Sequence, residues 1–196
     1  MTNDSATATA TGPARAVASA ALPLPSGRWE LDPLHSAVNF TIRHLGIAKV
    51  RGRFSKVEAD LYVGETAEDV RVSATIDLAS IDTGNADRDA HVRASDLLDV
   101  EKRPTMTYRS TRVSGEGVDW TLEGELTIGG VTRPVPLAVE FGGLAELPVE
   151  GAGRHAGFEA RGEIRRGDFG LDFAPGLLGD VVKIQLDMQF VEPKAA

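Results

Sequence analysis

His35, His44, His91 and His155 are the side chains of this chain that could hold a metal or move a proton near neutral pH. Their spacing makes no ligand set: none shows the i, i+4 helical arrangement, and none belongs to an H-E-x-x-H pattern. His35 and His44 fall near strand ends, where carboxylates or backbone groups satisfy an imidazole. A proton-transfer pair is the second chemical reading. His35 or His91 beside Asp89 or Asp168 would supply one general base to an apolar pocket, the minimal site of a small enzyme. The other routes to chemistry are missing: there is no cysteine, no G-x-S-x-G and no phosphate-cradling glycine loop. No catalytic residue is therefore assigned, and no metal site.

The remaining polar candidates read as parts of a rim. Arg88, Asp89 and His91 open a helical segment, where an acidic residue near the N-terminus is favoured by the helix dipole. They serve either as an ion-paired clasp for that helix or, through Arg88 or His91, as a contact for a polar head group at a cavity mouth. Asp168, within Arg166-Gly167-Asp168-Phe169-Gly170, reads as a turn residue whose carboxylate accepts hydrogen bonds from backbone or from Arg88.

The elements that must position these residues are strands. Val70, Val72, Ala74, Ile76 and Leu78 take alternate places, as do Val182, Ile184, Leu186, Met188 and Phe190. A period of two puts every apolar side chain on one face of a strand. About eight such stretches follow one another. The first are Trp29–Leu31, Ser36–Arg43 and the segment through Val50, Gly52 and Phe54, with a third full strand inside Ala67–Ile81. Between Phe54 and Val57 the apolar parity slips by one residue, which predicts a β-bulge there. Thr105–Ser114, Val118–Ile128, Val131–Phe141, Arg154–Arg165 and Asp180–Val191 complete the set, with Gly142–Gly153 as a loose connection. Gly129-Gly130 predicts a two-residue hairpin turn. Pro134 and Pro136, which cannot donate to a ladder, belong at a strand start or an irregular rim. One segment, Asn85–Leu98, reads as a short helix capped by Thr83 or Asn85 and lidding an open end.

A sheet that is apolar on one face must stack on another or close on itself. Strands of 11 to 14 residues favour closure, since they enclose a space on the order of 30 Å tall at the usual barrel tilt. The fold expected is all-β, an extended eight-stranded antiparallel barrel with one short lid helix at about 85–98. Small inward residues (Gly52, Ala59, Ala74, Gly124, Ala160, Gly162) leave room in it unless bulky neighbours reach across. The lumen is then lined by Val38, Phe40 and Phe54, by Ile76, Met106 and Tyr108, by Trp120, Leu122 and Phe158, and by Ile184, Leu186 and Met188. Each buried CH₂ contributes roughly 0.8 kcal/mol, so a narrow apolar tunnel selects an extended hydrocarbon over a compact solute.

Bulk properties bound the rest. The chain has 196 residues and a formal charge of −8, against the basic stripe that nucleic acid requires. No run of 18 apolar residues provides a membrane-spanning helix. Residues 1–27, rich in Ala, Thr and Pro, read as a disordered tail ahead of a domain over 28–193. They lack the basic start and solid apolar block of an export signal, so a cytoplasmic location is expected, with a periplasmic or secreted one as the alternative.

At this point the chain resembles a known group. Trp29-Glu30-Leu31-Asp32-Pro33-Leu34-His35-Ser36 with Val38-Asn39-Phe40-Thr41-Ile42-Arg43-His44-Leu45 is similar to the opening of the YceI-like family, bacterial polyisoprenoid-binding proteins with a lipocalin-like barrel. The similarity returns in Ser80–Gly84 with Arg88–His91, in Asp99–Pro104, in Leu126–Val135 and in Arg166–Gly170 with Gly179-Asp180 and Val182. It covers Trp29 to Glu192 in order. The resemblance implies a lumen that takes an isoprenoid chain, a quinone tail or polyprenyl lipid, for storage, transport or sequestration, with no cofactor besides the bound lipid. An enzyme acting on an isoprenoid through a His/Asp pair is the alternative. Leu97-Leu98 replaces aromatic residues common after the helix in that group, which bears on cavity width. Barrels of this size often pair, so a homodimer is among the expected assemblies.

Overall fold

The computed structural model describes residues 21–148 and 153–192. Twelve strands form one sheet: β1 (Gly27–Leu31), β2 (Ala37–His44), β3 (Ala48–Phe54), β4 (Val57–Val63), β5 (Arg71–Asp77), β6 (Ile81–Asp82), β7 (Thr105–Glu116), β8 (Asp119–Ile128), β9 (Val131–Pro134), β10 (Leu137–Glu146), β11 (Arg154–Arg165) and β12 (Leu178–Val191). Every pairing between them is antiparallel. The sheet closes because β1 pairs with β4 on one side and with β12 on the other. The barrel is lipocalin-like, and its twelve strands are eight long staves, four of them broken in two.

Each break is written in side-chain chemistry. Between β1 and β2, Pro33 offers no N–H, and Asp32 and Ser36 take over the ladder with β12. The Asp32 carboxylate accepts from Leu34 N–H and from the Gln189 amide, while Gln189 N–H donates to Ser36 Oγ at 3.0 Å. Between β3 and β4, where a bulge was predicted, the strand breaks outright. Ser55 N–H donates to Ser80 O and Lys56 N–H to Ser80 Oγ at 3.1 Å, so neighbouring groups replace the ladder and Phe54 and Val57 both face inward. The third stave, predicted unbroken over Ala67–Ile81, is β5 and β6 separated by a 3₁₀ turn at Leu78–Ser80, with another at Ala67–Asp69 before it. Val135 and Pro136 separate β9 from β10.

Three further differences concern the connections. Gly142 and Gly143 do not begin a loop: β10 continues to Glu146, absorbing a bulge between Phe141 and Gly143. The helix is shorter than expected. α1 (Ala86–Arg93) starts at Asn85, whose side chain accepts from Arg88 N–H, and stops because Ala94 is extended and Leu98 N–H turns back onto Val92 O. Within residues 21–27, the end of the segment read as a tail, Leu24 is buried and Gly27 lies in β1. Residues 1–20 lie outside the described part. The Gly129-Gly130 turn forms as expected, both glycines at positive φ.

Candidate ligand-binding site

The inward side chains of these staves enclose one cavity of about 720 Å³, within the range of small-molecule sites. All twelve residues expected to face the lumen line it. Val38 and Phe40 come from β2, Phe54 from β3, Ile76 from β5, Met106 and Tyr108 from β7. Trp120 and Leu122 of β8, Phe158 of β11, and Ile184, Leu186 and Met188 of β12 complete the circuit.

Where the room comes from differs from the simple expectation. Three of the small inward residues are covered rather than empty. A Cβ on Gly52 would meet the Phe40 ring at 2.4 Å, one on Gly124 would meet the Tyr108 hydroxyl at 2.3 Å, and one on Gly162 would meet Leu137 at 2.6 Å. These glycines let large neighbours lie flat against the wall. Ala59, Ala74 and Ala160, by contrast, line the cavity itself.

The two ends are unlike. At one, Leu61, Val70, Val113 and Trp120 are buried around the cavity, and Leu22 of the N-terminal segment lines it as well. Trp29, fully buried, donates from Nε1 to Pro25 O at 3.1 Å and so pins that segment across the end. The opposite end is the mouth. There the lining includes exposed residues, Ala48 and Lys49 on β3 and Arg88 on α1. α1 stands beside it with Val92, and Leu97 and Leu98 follow as further apolar lining.

Polar groups reach the cavity at only a few points: Asn39, His44, Lys49, Thr83, Arg88, Tyr108 and Arg166. No aspartate or glutamate lines it among the described residues. The Tyr108 hydroxyl is shared between Leu122 O at 3.2 Å and Val135 O at 3.0 Å, beside the β9–β10 break. Burial pushes its phenol well above the ordinary value, so it stays neutral and donates.

The rim candidates separate once placed. Asp89 is buried and accepts from Thr83 N–H at 2.9 Å and Thr83 Oγ1 at 2.6 Å, while Arg88 donates to Thr83 Oγ1 and Thr83 O. The helix is thus clasped through Thr83 instead of by a direct ion pair. His44 and Arg88 do face the cavity. His91 does not: it is exposed, contacts Asp96 at 3.2 Å and packs edge-on against Phe173. His35 sits in the β1–β2 break, exposed, with Nδ1 2.8 Å from Asp32. There the Asp32 carboxyl lies below its usual range. Burial alone would raise it, but hydrogen bonds from His35, Leu34 N–H and Gln189 outweigh that. Asp168 is exposed, and the carboxylate that caps its turn is Asp180, which accepts from Gly167 N–H at 3.0 Å and pairs with Arg165. Neither His35 nor His91 therefore meets Asp89 or Asp168, because each of these histidines has a nearer carboxylate and Asp89 is taken by Thr83.

Sequence reasoning missed Arg166 as a lining residue. Buried, it donates to the carbonyls of Gly179, Leu171 and Leu178, and so holds the loop before β12 against the barrel end. Its signal was an arginine beside two glycines and a strand end, read only for its neighbour Asp168. Leu22 was missed because it stood in a segment of tail-like composition.

Known proteins with the same pattern and shape bear on this cavity. The sequence pattern of the YceI-like domain matches residues 29–190. Protein YceI of Escherichia coli is 36% identical over 162 residues, covering 82% of this chain and 83% of that protein. Among solved structures, BcnA of Burkholderia cenocepacia superposes with a TM-score of 0.71 at 23% identity, over 82% of this chain and 99% of that one. A polyisoprenoid binding domain from Saccharophagus degradans superposes with a TM-score of 0.61 at 17% identity, over 84% and 98%.

Proposed function

The chain belongs to the YceI-like domain family, and from that premise we propose that it binds the tail of an isoprenoid lipid inside its barrel. The observation that carries this reading is the cavity itself. It is walled almost wholly by aliphatic and aromatic side chains, closed at one end by the Trp29 and Leu22 region and entered at the other past Lys49 and Arg88. A polyisoprenoid binding domain of the same fold supports the choice of ligand class. The free energy of such a site is distributed. At roughly 0.8 kcal/mol per buried CH₂, affinity grows along the chain until the lumen is full. The head group remains at the mouth, near His44, Lys49 and Arg88.

On this reading the protein stores, carries or sequesters the lipid without transforming it, and the ligand is either a quinone tail or a polyprenyl lipid. The test is a length series. Delipidated protein is titrated with prenyl quinones of increasing chain length, following the fluorescence of Trp120, which lines the closed end of the cavity, in a Trp29→Phe background. Affinity is expected to climb with each isoprene unit and then level off, with quenching strongest for chains long enough to reach Trp120. A compact apolar solute that binds as well as the longest chain, with no dependence on length, would overturn the reading. Chemical recovery of unaltered quinone after prolonged incubation separates carrier from enzyme.

A further inference from the structure

The turn between β2 and β3 carries the least protected apolar side chains near the mouth. Leu45 is 53% exposed and Ile47 80%, and Leu177, 42% exposed, stands beside them through the bond from Leu45 N–H to Leu177 O at 2.7 Å. The next two residues, Ala48 and Lys49, line the cavity, so this apolar tip is continuous with its entrance. Leu45 also holds a left-handed backbone, φ 52°, a conformation that glycine, asparagine and aspartate adopt readily and leucine does not. The two-residue turn Leu45-Gly46 needs positive φ at both places, and a leucine more than half exposed gains little packing in return for that strain, so its presence there points to function.

Charge marks the same hairpin. From Pro33 to Val57 there is no acidic residue, although the chain has 29, while Arg43, Lys49, Arg51, Arg53 and Lys56 all fall there. Arg53 and Lys56 pair with Asp82 and Asp77. Among the described residues Arg43, Lys49 and Arg51, the three nearest the tip, have no carboxylate within salt-bridge distance. In a chain of net charge −8 this is a local reversal of sign. An apolar tip flanked by unpaired cations matches one kind of surface, a bilayer with anionic head groups. Apolar side chains enter the acyl boundary of such a surface, and lysine and arginine meet the phosphates.

We propose that the Leu45–Ile47 turn docks the barrel, mouth down, on an anionic lipid bilayer. The isoprenoid tail then passes between membrane and lumen without crossing water. This inference rests on the lipid-binding reading for its purpose but not for its test. Full-length protein is floated with vesicles of phosphatidylcholine containing about a third phosphatidylglycerol, and with phosphatidylcholine alone. The protein is expected to float with the anionic vesicles only, and to be released by high salt.

Three variants read the mechanism. Leu45→Asn relieves the backbone strain, so it is expected to melt higher while floating less, which no folding defect can imitate. Combined with Ile47→Ser it should weaken vesicle binding about tenfold or more. Lys49→Glu with Arg51→Glu should abolish the preference for anionic vesicles. Absence of flotation on anionic vesicles, or variants that float like the parent, would overturn the proposal. So would light scattering that shows the tip buried between two copies of the chain, with the doubled mass lost in the Leu45→Asn and Ile47→Ser variant. A protein that floats but whose lumen accepts no prenyl chain would sink the lipid-binding reading and leave the docking intact. One that loads prenyl quinone from dilute solution but ignores vesicles would do the reverse.

Discussion

Tyr108 stands beside the break between β9 and β10, where Pro134 and Pro136 fall. One phenolic proton serves two carbonyls there, Leu122 O and Val135 O, in an otherwise apolar interior. Tyr108→Phe keeps the ring over Gly124 and removes only the hydroxyl. The expected loss is about 1–2 kcal/mol in urea unfolding, the cost of buried acceptors left without a partner. A loss below about 0.3 kcal/mol would mean that the break satisfies itself. Ala74 poses the opposite question. It faces the void and pairs with Ala59 and Tyr108 on the neighbouring strands. Ala74→Trp puts an indole into free space, so unfolding should change little while uptake of a long prenyl chain is lost. Preserved uptake would show that the ligand does not use the middle of the lumen. These residues were legible as inward-facing because alternation assigns a face. That glycines 52, 124 and 162 would be roofed by Phe40, Tyr108 and Leu137 was not, since cross-strand register is a property of pairing rather than of any one strand.

At the scale of elements, α1 is short and mostly polar, so its place depends on hydrogen bonds: Arg93 donates to Ala79 O and Ile81 O at its C-terminal end, and its first turn rests on Thr83. That hydroxyl donates to the buried Asp89 and accepts from Arg88. Thr83→Val is expected to cost about 1–2 kcal/mol. Its sharper signature is hydrogen exchange that quickens in residues 86–93 alone, together with faster release of bound lipid from the mouth. Uniform quickening across the barrel would contradict the idea that α1 is a separately held element. The strand connections have their own signature in acid. Asp82 lies below the ordinary carboxylate range because Gly84 N–H and Arg53 bond it, and Asp180 because Gly167 N–H and Arg165 do. Glu192 is lowered by Arg154. Each binds its proton less readily folded than unfolded, so each contributes stability above the carboxylate range and loses it as pH falls. Acid unfolding should therefore set in below about pH 4. The triple variant Asp82→Asn, Asp180→Asn and Glu192→Gln should show a flatter melting profile there, and an unchanged profile would rule these groups out. The strands themselves were readable, but their breaks were not. Asp32, Ser36 and Ser80 look like ordinary polar residues until their side chains are seen replacing backbone partners.

For the whole molecule, closure is the property from which the cavity follows. Alternation over eight staves requires a greasy interior, and stave length makes that interior tall. Whether it is filled depends on volumes that no periodicity reports. Here Phe40 and Tyr108 lie against wall glycines, Ala59, Ala74 and Ala160 line the lumen, and about 720 Å³ is left over. The mouth is the other half of the account. Its polar lining was partly visible in His44 and Arg88, whereas Arg166 and Lys49 emerged only when the loop before β12 and the β2–β3 turn were placed. The two histidines that suggested chemistry, His35 and His91, proved to lie outside the cavity lining, each beside a nearby carboxylate.

The account is tested most directly by native mass spectrometry of the full chain purified from its own host without detergent, beside the Ala74→Trp variant prepared identically. The parent should carry one added mass that fragments as a series of isoprene units, and the variant should carry none. A parent chain that arrives bare, or one whose adduct persists undiminished in the variant, would contradict a lumen built to hold a prenyl tail.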